Sequence, residues 1–199
     1  MHNSIATSQQ PFWRPLLSIF IGLSILTGLL YPLLVTGVAT LLFPHQVQGS
    51  LLIRHGQVVG SDLIGQNFNE ARYFWGRLSA TSPMNYNASS SGGSNFGPLN
   101  PALISAVQGR ITALKAADPG NQAQIPVDLV TASASGLDPD ISLAAATYQV
   151  ARVARARHLT PESVQQEIRT IEQGVWLGFL GEPRVNVLQL NLWLDTVAH

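Results

Sequence analysis

Four serine hydroxyls, on Ser89, Ser90, Ser91 and Ser94, crowd a run from Asn85 to Pro101 that is rich in Ser, Gly and Asn. A serine nucleophile needs a base to take its proton and an acid to orient that base. The histidines beyond the N-terminal apolar run are His45, His55, His158 and His199. His55 falls in a predicted tight turn, His158 at a helix end, His45 beside the apolar run and His199 at the last position. None accompanies a Gly-x-Ser-x-Gly elbow. A membrane-anchored hydrolase using Ser91 or Ser94 is therefore kept as an alternative, together with an anchored solute-binding module.

Phosphate chemistry finds little support. A phosphate-binding loop ends in Gly-Lys-Ser/Thr. Gly93-Ser94-Asn95-Phe96-Gly97 has no Lys, and the one lysine of the chain is Lys115. What the run can offer is unusual backbone angles and free N–H groups, as an anion nest or as a structural corner. Asp138-Pro139-Asp140 lacks the spaced oxygens of a calcium loop and reads as a helix cap, with Asp140 suited to the positive dipole end. Arg152, Arg155 and Arg157 read as a solvated face late in a helix. Asn87-Ala88-Ser89 matches the glycosylation pattern, which is common by chance. Cysteine is absent, so thiol catalysis, disulfides and Cys-based metal sites are excluded.

The elements around these residues begin with a membrane segment. The chain has 199 residues and formal net charge +0. That neutrality argues against nucleic acid as a partner. Charged residues make up 11%, against about 25% in ordinary soluble domains. Mean hydropathy is +0.18. No charge occurs from Pro15 to Phe43, a stretch longer than the roughly 20 residues that cross a bilayer. It is too long for a cleaved signal, despite the small residues Gly37-Val38-Ala39. Pro32 is expected to kink or end the helix locally, and Pro44 to mark its exit. Ser18 with Gly22, and Ser24 with Gly28, have the small-xxx-small spacing that lets helices approach closely. Arg14 and the N-terminal amine, without an acid before them, place the tail 1–14 in the cytoplasm and the domain 44–199 in the periplasm.

That domain reads as mixed α and β, with short strands near both ends. Ser50–Arg54 and Gln57–Gly60 predict a hairpin around His55-Gly56. Tyr73-Phe74-Trp75 reads as core or interface. Asn100 caps a helix that Pro101 opens, carrying Leu103, Val107, Ile111 and Leu114 and ending near Asp118-Pro119-Gly120. Residues Ile125–Val130 read as extended, and Thr131–Gly136 as a second loop of small residues. Asp138-Pro139 starts a helix that runs to about Arg157. Thr160-Pro161 starts another that stops near Gly174. Leu188, Leu190, Leu192 and Leu194 alternate with polar residues and Trp193, which predicts a closing strand over Val185–Asp195.

Several long segments resemble the KdpC family, the small accessory subunits of Kdp-type potassium-transporting ATPases. They are Tyr86-Asn87 through Ser91-Gly92-Gly93-Ser94-Asn95 to Gly97-Pro98, Gly60–Gln66, Asp128–Ser133, Ser135–Pro139 and Leu177–Val187. Two positions depart from the family pattern. Leu78 follows Arg77 where Pro is usual, which implies a looser turn, and Asp140 stands where His is usual. The resemblance implies a single-span accessory subunit of the inner membrane. Its implied partners are a potassium-translocating channel-like subunit, a P-type ATPase subunit and a small membrane peptide. It further implies that the chain aids assembly and acts as a catalytic chaperone, raising the ATP affinity of the ATPase subunit. ATP would then be shared with that subunit, with no cofactor assigned to this chain. The loop residues Tyr86, Asn87, Ser91, Gly92, Gly93, Ser94 and Asn95 are the expected partner contact.

Overall fold

A continuous apolar helix opens the structure, which is a computed structural model describing residues 11–197. It runs as α1 (Trp13–Ile25), a π-helical stretch (Leu26–Leu30) and α2 (Tyr31–Leu42). It is 30 residues long, and an 18-residue window within it reaches a mean hydropathy of 2.1. At the α-helical rise this is about 45 Å, more than the ~30 Å hydrocarbon core of a bilayer. The helix is long and apolar enough to cross a membrane. Pro32 does not end it. Proline lacks an N–H and crowds the carbonyl four residues back. The wider π stretch lies just before Pro32, and the Tyr31 N–H reaches the Leu26 carbonyl across it. Such stretches are a recognised way for helices to absorb local irregularity. Phe43 leaves the helical region, and Pro44 starts the short helix α3 (Pro44–Val47).

The chain divides into two compact units, Met1–Gly49 and Ser50–His199. The second unit begins with the expected hairpin, β1 (Leu51–Arg54) and β2 (Gln57–Ser61), antiparallel with a bulge at Leu52/Ile53. His55 and Gly56 both take positive φ in its turn. Residues 62–100 then form an extended, loop-rich stretch with one 3-10 turn at Ala88–Ser90. Helix α4 (Pro101–Ala117) follows, with the Asn100 side chain accepting from the Ala102 N–H at its start. Of its expected apolar stripe only Leu114 is fully buried; Leu103, Val107 and Ile111 are half-buried.

Three helices carry most of the core. They are α5 (Leu143–Arg157), α6 (Pro161–Ile171) and α7 (Val187–Val197). Val153, Val164, Leu190 and Leu194 are fully enclosed among them, with Phe74 from the long loop. A second antiparallel pair, β3 (Asp140–Ser142) and β4 (Arg184–Asn186), leads into α5 and α7.

Three sequence expectations are corrected here. Residues Val127–Leu129 form a 3-10 turn, since their N–H groups find partners within the local chain rather than along a strand. Asp138 and Asp140 do not cap α5. Asp140 opens β3, and Ser142 is the cap, its hydroxyl accepting from the Ala145 N–H at 3.0 Å. The predicted closing strand is mostly helix. Only Val185 and Asn186 pair with β3; from Val187 the chain is α7. Its buried residues are Val187, Leu188, Leu190, Asn191 and Leu194, a helical i, i+1, i+3, i+4, i+7 set in which one member is polar. Three of the four alternating leucines, Leu188, Leu190 and Leu194, are buried, but on a helix rather than on one side of a strand.

Candidate partner-contact site

The loop from Ser79 to Asn100 is built by small hydroxyls and amides bonding to one another and to the second small-residue loop. Ser79 is its hub. The Ser79 hydroxyl donates to the Gly136 carbonyl at 2.7 Å and accepts from the Tyr86 N–H at 2.9 Å. Thr81 donates to the Met84 carbonyl at 2.7 Å and accepts from the Asn87 N–H at 3.0 Å. These bonds close a tight turn around the cis Ser82–Pro83 bond. Asn87 is satisfied within the loop. Its amide donates to the Ser82 carbonyl, and its oxygen accepts from the Ser89 N–H and hydroxyl. An Asn holding backbone groups in this way is a turn former.

Tyr86 locks the loop to the body of the domain. It takes φ +57°. Its hydroxyl donates to the Arg77 carbonyl at 2.7 Å. Its ring lies so close to Gly65 that a Cβ there would collide with ring carbon Cε1. Only glycine fits that contact. Burial raises the Tyr86 pKa, with Arg110 opposing the shift.

The two small-residue loops run side by side. The Gly92 N–H and the Ser91 hydroxyl both donate to the Ser135 carbonyl, at 2.8 and 3.0 Å. The Ser133 N–H donates to the Leu78 carbonyl at 3.2 Å. Gly93 faces Ala134 so closely that a Cβ would stand 2.9 Å from its carbonyl oxygen. Asn95 takes φ +52°, and its amide donates to the Gly93 carbonyl at 3.1 Å. Leu78, where the family usually has Pro, bridges Ala132 in parallel fashion, so this segment is tied rather than loose. The structure thus brings Tyr86, Asn87, Ser91, Gly92 and Gly93 into one hydrogen-bonded corner. Ser94 continues it as the lip of an open cleft of about 670 Å³ beneath α4, with Asn95 next in the chain. Beside that lip, Phe96 is 40% exposed and Leu99 is 92% exposed.

Two histidines, His55 and His158, serve backbone geometry, and His45 lies in α3. His158 is the left-handed residue that ends α5, at φ +56°, as His55 is left-handed in the hairpin turn. Ser91 spends its proton on a backbone carbonyl. His199 and the tail 1–10 lie outside the described residues. In the apolar helix, the Ser18 hydroxyl donates back to the Pro15 carbonyl. Gly22 and Gly28 have nothing within 4 Å of a built Cβ, so both stand on an open helix surface. Ser18, Gly22 and Ser24 sit in α1, whereas Gly28 falls inside the π stretch.

The arginine trio is the main site feature that the sequence misread. Arg152 is buried at 3% exposure, not solvated. It donates to the Ala71 carbonyl, to the Tyr73 carbonyl at 3.0 Å and to Gln149 at 2.6 Å. Its guanidinium lies 4.9 Å from the Trp75 ring centroid. Burial pulls its pKa down to about 10, with Asp118 opposing. Arg157 is likewise enclosed. It donates to the Arg72 carbonyl and to Asp195, over the ring of Tyr73 at 4.6 Å. Arg155 alone points outward, paired with buried Asp118. Asp138 and Asp140 also find cations: Arg77 at 3.0 Å and Arg184 at 2.8 Å. A second missed feature is a short hairpin tip where Trp176 and Leu180 exchange backbone bonds at 2.9 Å. It exposes Trp176, Leu177 and Phe179, and Leu177 takes φ +53°. Its signal in the sequence was the uncharged run Val175–Leu180.

Comparison with known proteins agrees in one direction. The family model described as KdpC, K+-transporting ATPase, c chain, matches residues 13–196. The chain is similar to the potassium-transporting ATPase KdpC subunit of Polaromonas naphthalenivorans (strain CJ2), 65% identical over 184 residues, covering 92% of this chain and 94% of that one. It is 65% identical to the protein of the same description from Variovorax paradoxus (strain S110), over 93% of this chain and 96% of the other. With the one from Herpetosiphon aurantiacus the identity is 63%, over 94% and 96%.

Proposed function

The chain belongs to the KdpC family of potassium-transporting ATPase subunits, and on that premise we propose that it is the non-catalytic accessory subunit of a high-affinity ATP-driven potassium uptake pump. Its work is assembly and stability of the complex, together with action as a catalytic chaperone that raises the ATP affinity of the P-type ATPase subunit. The partners are that subunit, the potassium-translocating channel-like subunit and a small membrane peptide. The observation that carries this reading is the extent of the family match, which takes in the apolar helix and nearly all of the following domain, residues 13–196. In this reading the helix spans the inner membrane with its N-terminus in the cytoplasm. The domain then lies in the periplasm and covers the outer face of the channel-like subunit. ATP stays with the ATPase subunit on the opposite side.

The loop geometry supports a contact role over a hydrolytic one. The polar groups of Asn87, Ser91 and Gly92 are turned inward on Thr81, Ser82 and Ser135. They hold a shape, while apolar Phe96 and Leu99 are left outside it. The test is affinity purification of the full-length chain from cells expressing the other pump subunits, with and without Gly93→Val. The wild-type chain is expected to bring down a P-type ATPase, and the variant to lose it. An intact variant complex that has lost ATPase activity would contradict the contact role of the loop. Crosslinks from the domain only to cytoplasmic regions would overturn the topology.

A further inference from the structure

Arg110 is a partly enclosed cation that no carboxylate of the described residues neutralises. Its Nε donates to the Leu129 carbonyl at 2.9 Å and its Nη2 to the Gly76 carbonyl at 2.7 Å. Its guanidinium lies 5.0 Å from the Trp75 ring centroid. Among the described residues its Nη1 has no hydrogen-bond partner. The ion pairs formed there join Arg72 to Glu70, Arg77 to Asp138, Arg155 to Asp118, Arg157 to Asp195 and Arg184 to Asp140. Arg152 also lacks a carboxylate, but it is sealed in the core and its donors are used. Arg110 instead lines the cleft of about 670 Å³ under α4. Burial lowers its pKa, with Tyr86 the opposing influence. A desolvated guanidinium facing an open cleft gains most from an anion brought in from outside.

The walls of the cleft say what kind of anion. Leu78, Leu103, Val107 and Val130 are apolar, and Ala106 and Ala113 keep the α4 wall low. Lys115 does not line it, so one cation faces the cleft rather than the cluster that phosphate sites usually gather. Phe96 also lines the cleft and is 40% exposed, extending the apolar wall with surface that suits a peptide segment better than a small solute. Resting on the reading of the chain as a pump subunit, we propose that this cleft seats a peptide segment of a partner subunit. An Asp or Glu of that segment pairs with Arg110, and the apolar side chains beside it bury against Leu103, Val107 and Phe96. The Ser/Gly/Asn loop holds the far wall in place.

The test uses the full-length chain in the complex assembled with its partner subunits. A photo-crosslinking residue at Ala106 is expected to capture a partner peptide carrying Asp or Glu, read by mass spectrometry. In parallel, Val107→Trp fills the cleft and leaves the Arg110 residue itself unaltered. It should weaken retention of the chain in the complex about tenfold or more, as expected when a desolvated charge pair is broken. The thermal midpoint of the variant chain alone is expected to stay unchanged. Crosslinks to lipid, crosslinks to peptides without a carboxylate, or undiminished retention of Val107→Trp each overturn the cleft proposal and leave the subunit reading standing. Failure of the unaltered chain to copurify with a P-type ATPase removes the subunit reading, and the cleft proposal falls with it.

Discussion

The Tyr73–Trp75 segment and the Tyr86–Gly93 loop both lie outside the α-helices and strands, the second with one 3-10 turn at Ala88–Ser90, yet they are held by different means. Around Tyr73–Trp75, long polar side chains reach in from helices and bracket the backbone. Asn191 accepts from the Phe74 N–H at 2.8 Å and donates to the Phe74 carbonyl at 3.0 Å. Gln149 does the same for Trp75, at 2.8 and 3.1 Å. These amides act as a strand would, inside the apolar core. Around Tyr86–Gly93, short hydroxyls and neighbouring carbonyls bond within the loop, near solvent. The first arrangement is a stability device, because a buried backbone group without a partner costs about 1–3 kcal/mol. The second is a shape device, because water can replace most of what a mutation removes.

Asn191→Leu tests the first half of that contrast most severely. It leaves the N–H and the carbonyl of Phe74 buried without partners, and should cost about 3 kcal/mol or more. Thermal or denaturant unfolding of the full chain in detergent reads this directly. A loss below about 1 kcal/mol would mean that Asn191 merely fills space.

Arg152→Met is expected to cost less, about 2 kcal/mol. It orphans the Ala71 and Tyr73 carbonyls, but it also removes a charge whose desolvation is visible in a pKa drawn down to about 10. The two effects oppose, so the net is smaller than for the uncharged Asn191. Equal stability of this variant and the parent would show that the guanidinium contributes specificity rather than stability.

Tyr86→Phe probes the loop side. It removes the hydroxyl that donates to the Arg77 carbonyl and keeps the ring against Gly65. About 1 kcal/mol is expected in the same unfolding measurement. A cost matching that of Asn191→Leu would erase the distinction between the two regions.

The same contrast explains what was legible in the sequence. The hairpin at His55-Gly56, the Asn100-Pro101 helix and the Thr160-Pro161 helix were legible because turn and cap chemistry is local. The apolar helix was legible from length alone. The buried face of α7 was not. Asn191 counts as polar in any pattern, yet its partner Phe74 lies 117 residues away and makes it core. Arg152 was misread for the same reason, since its carbonyl acceptors lie 79 and 81 residues away. At the candidate site, the glycine-rich run announced a corner, but its mate, Ser133–Gly136, could be paired with it only in three dimensions. Arg110 gave no signal at all: an arginine in the middle of a helix looks solvent-exposed until its neighbours are known.

Asp140 offers the smallest effect and a test of sign. Burial raises its pKa; Arg184 opposes this and Asp138 adds to it. The folded state therefore binds this proton more readily than the unfolded chain does. Its contribution to stability is fully present below the ordinary aspartate value of 3.8 and is lost as pH rises through the raised folded value. Asp140→Asn cannot titrate. The variant also loses the pair with half-exposed Arg184, which forms only as Asp140 ionises and is therefore already contained, as the opposing influence, in the net upward shift. Stability of the variant relative to the parent should thus improve as pH rises across that window and level off above it. The change is expected to be smaller than the cost of Tyr86→Phe. A relative loss over the same window would mean that Arg184 outweighs burial and that the pair belongs with the stability devices of the core. A histidine here, as the family resemblance leads one to expect, would carry its charge only at low pH and would have no reason to pair with Arg184. The aspartate makes the β3–β4 junction electrostatic in this chain, beside a core whose other corrections to the sequence reading were matters of hydrogen bonding.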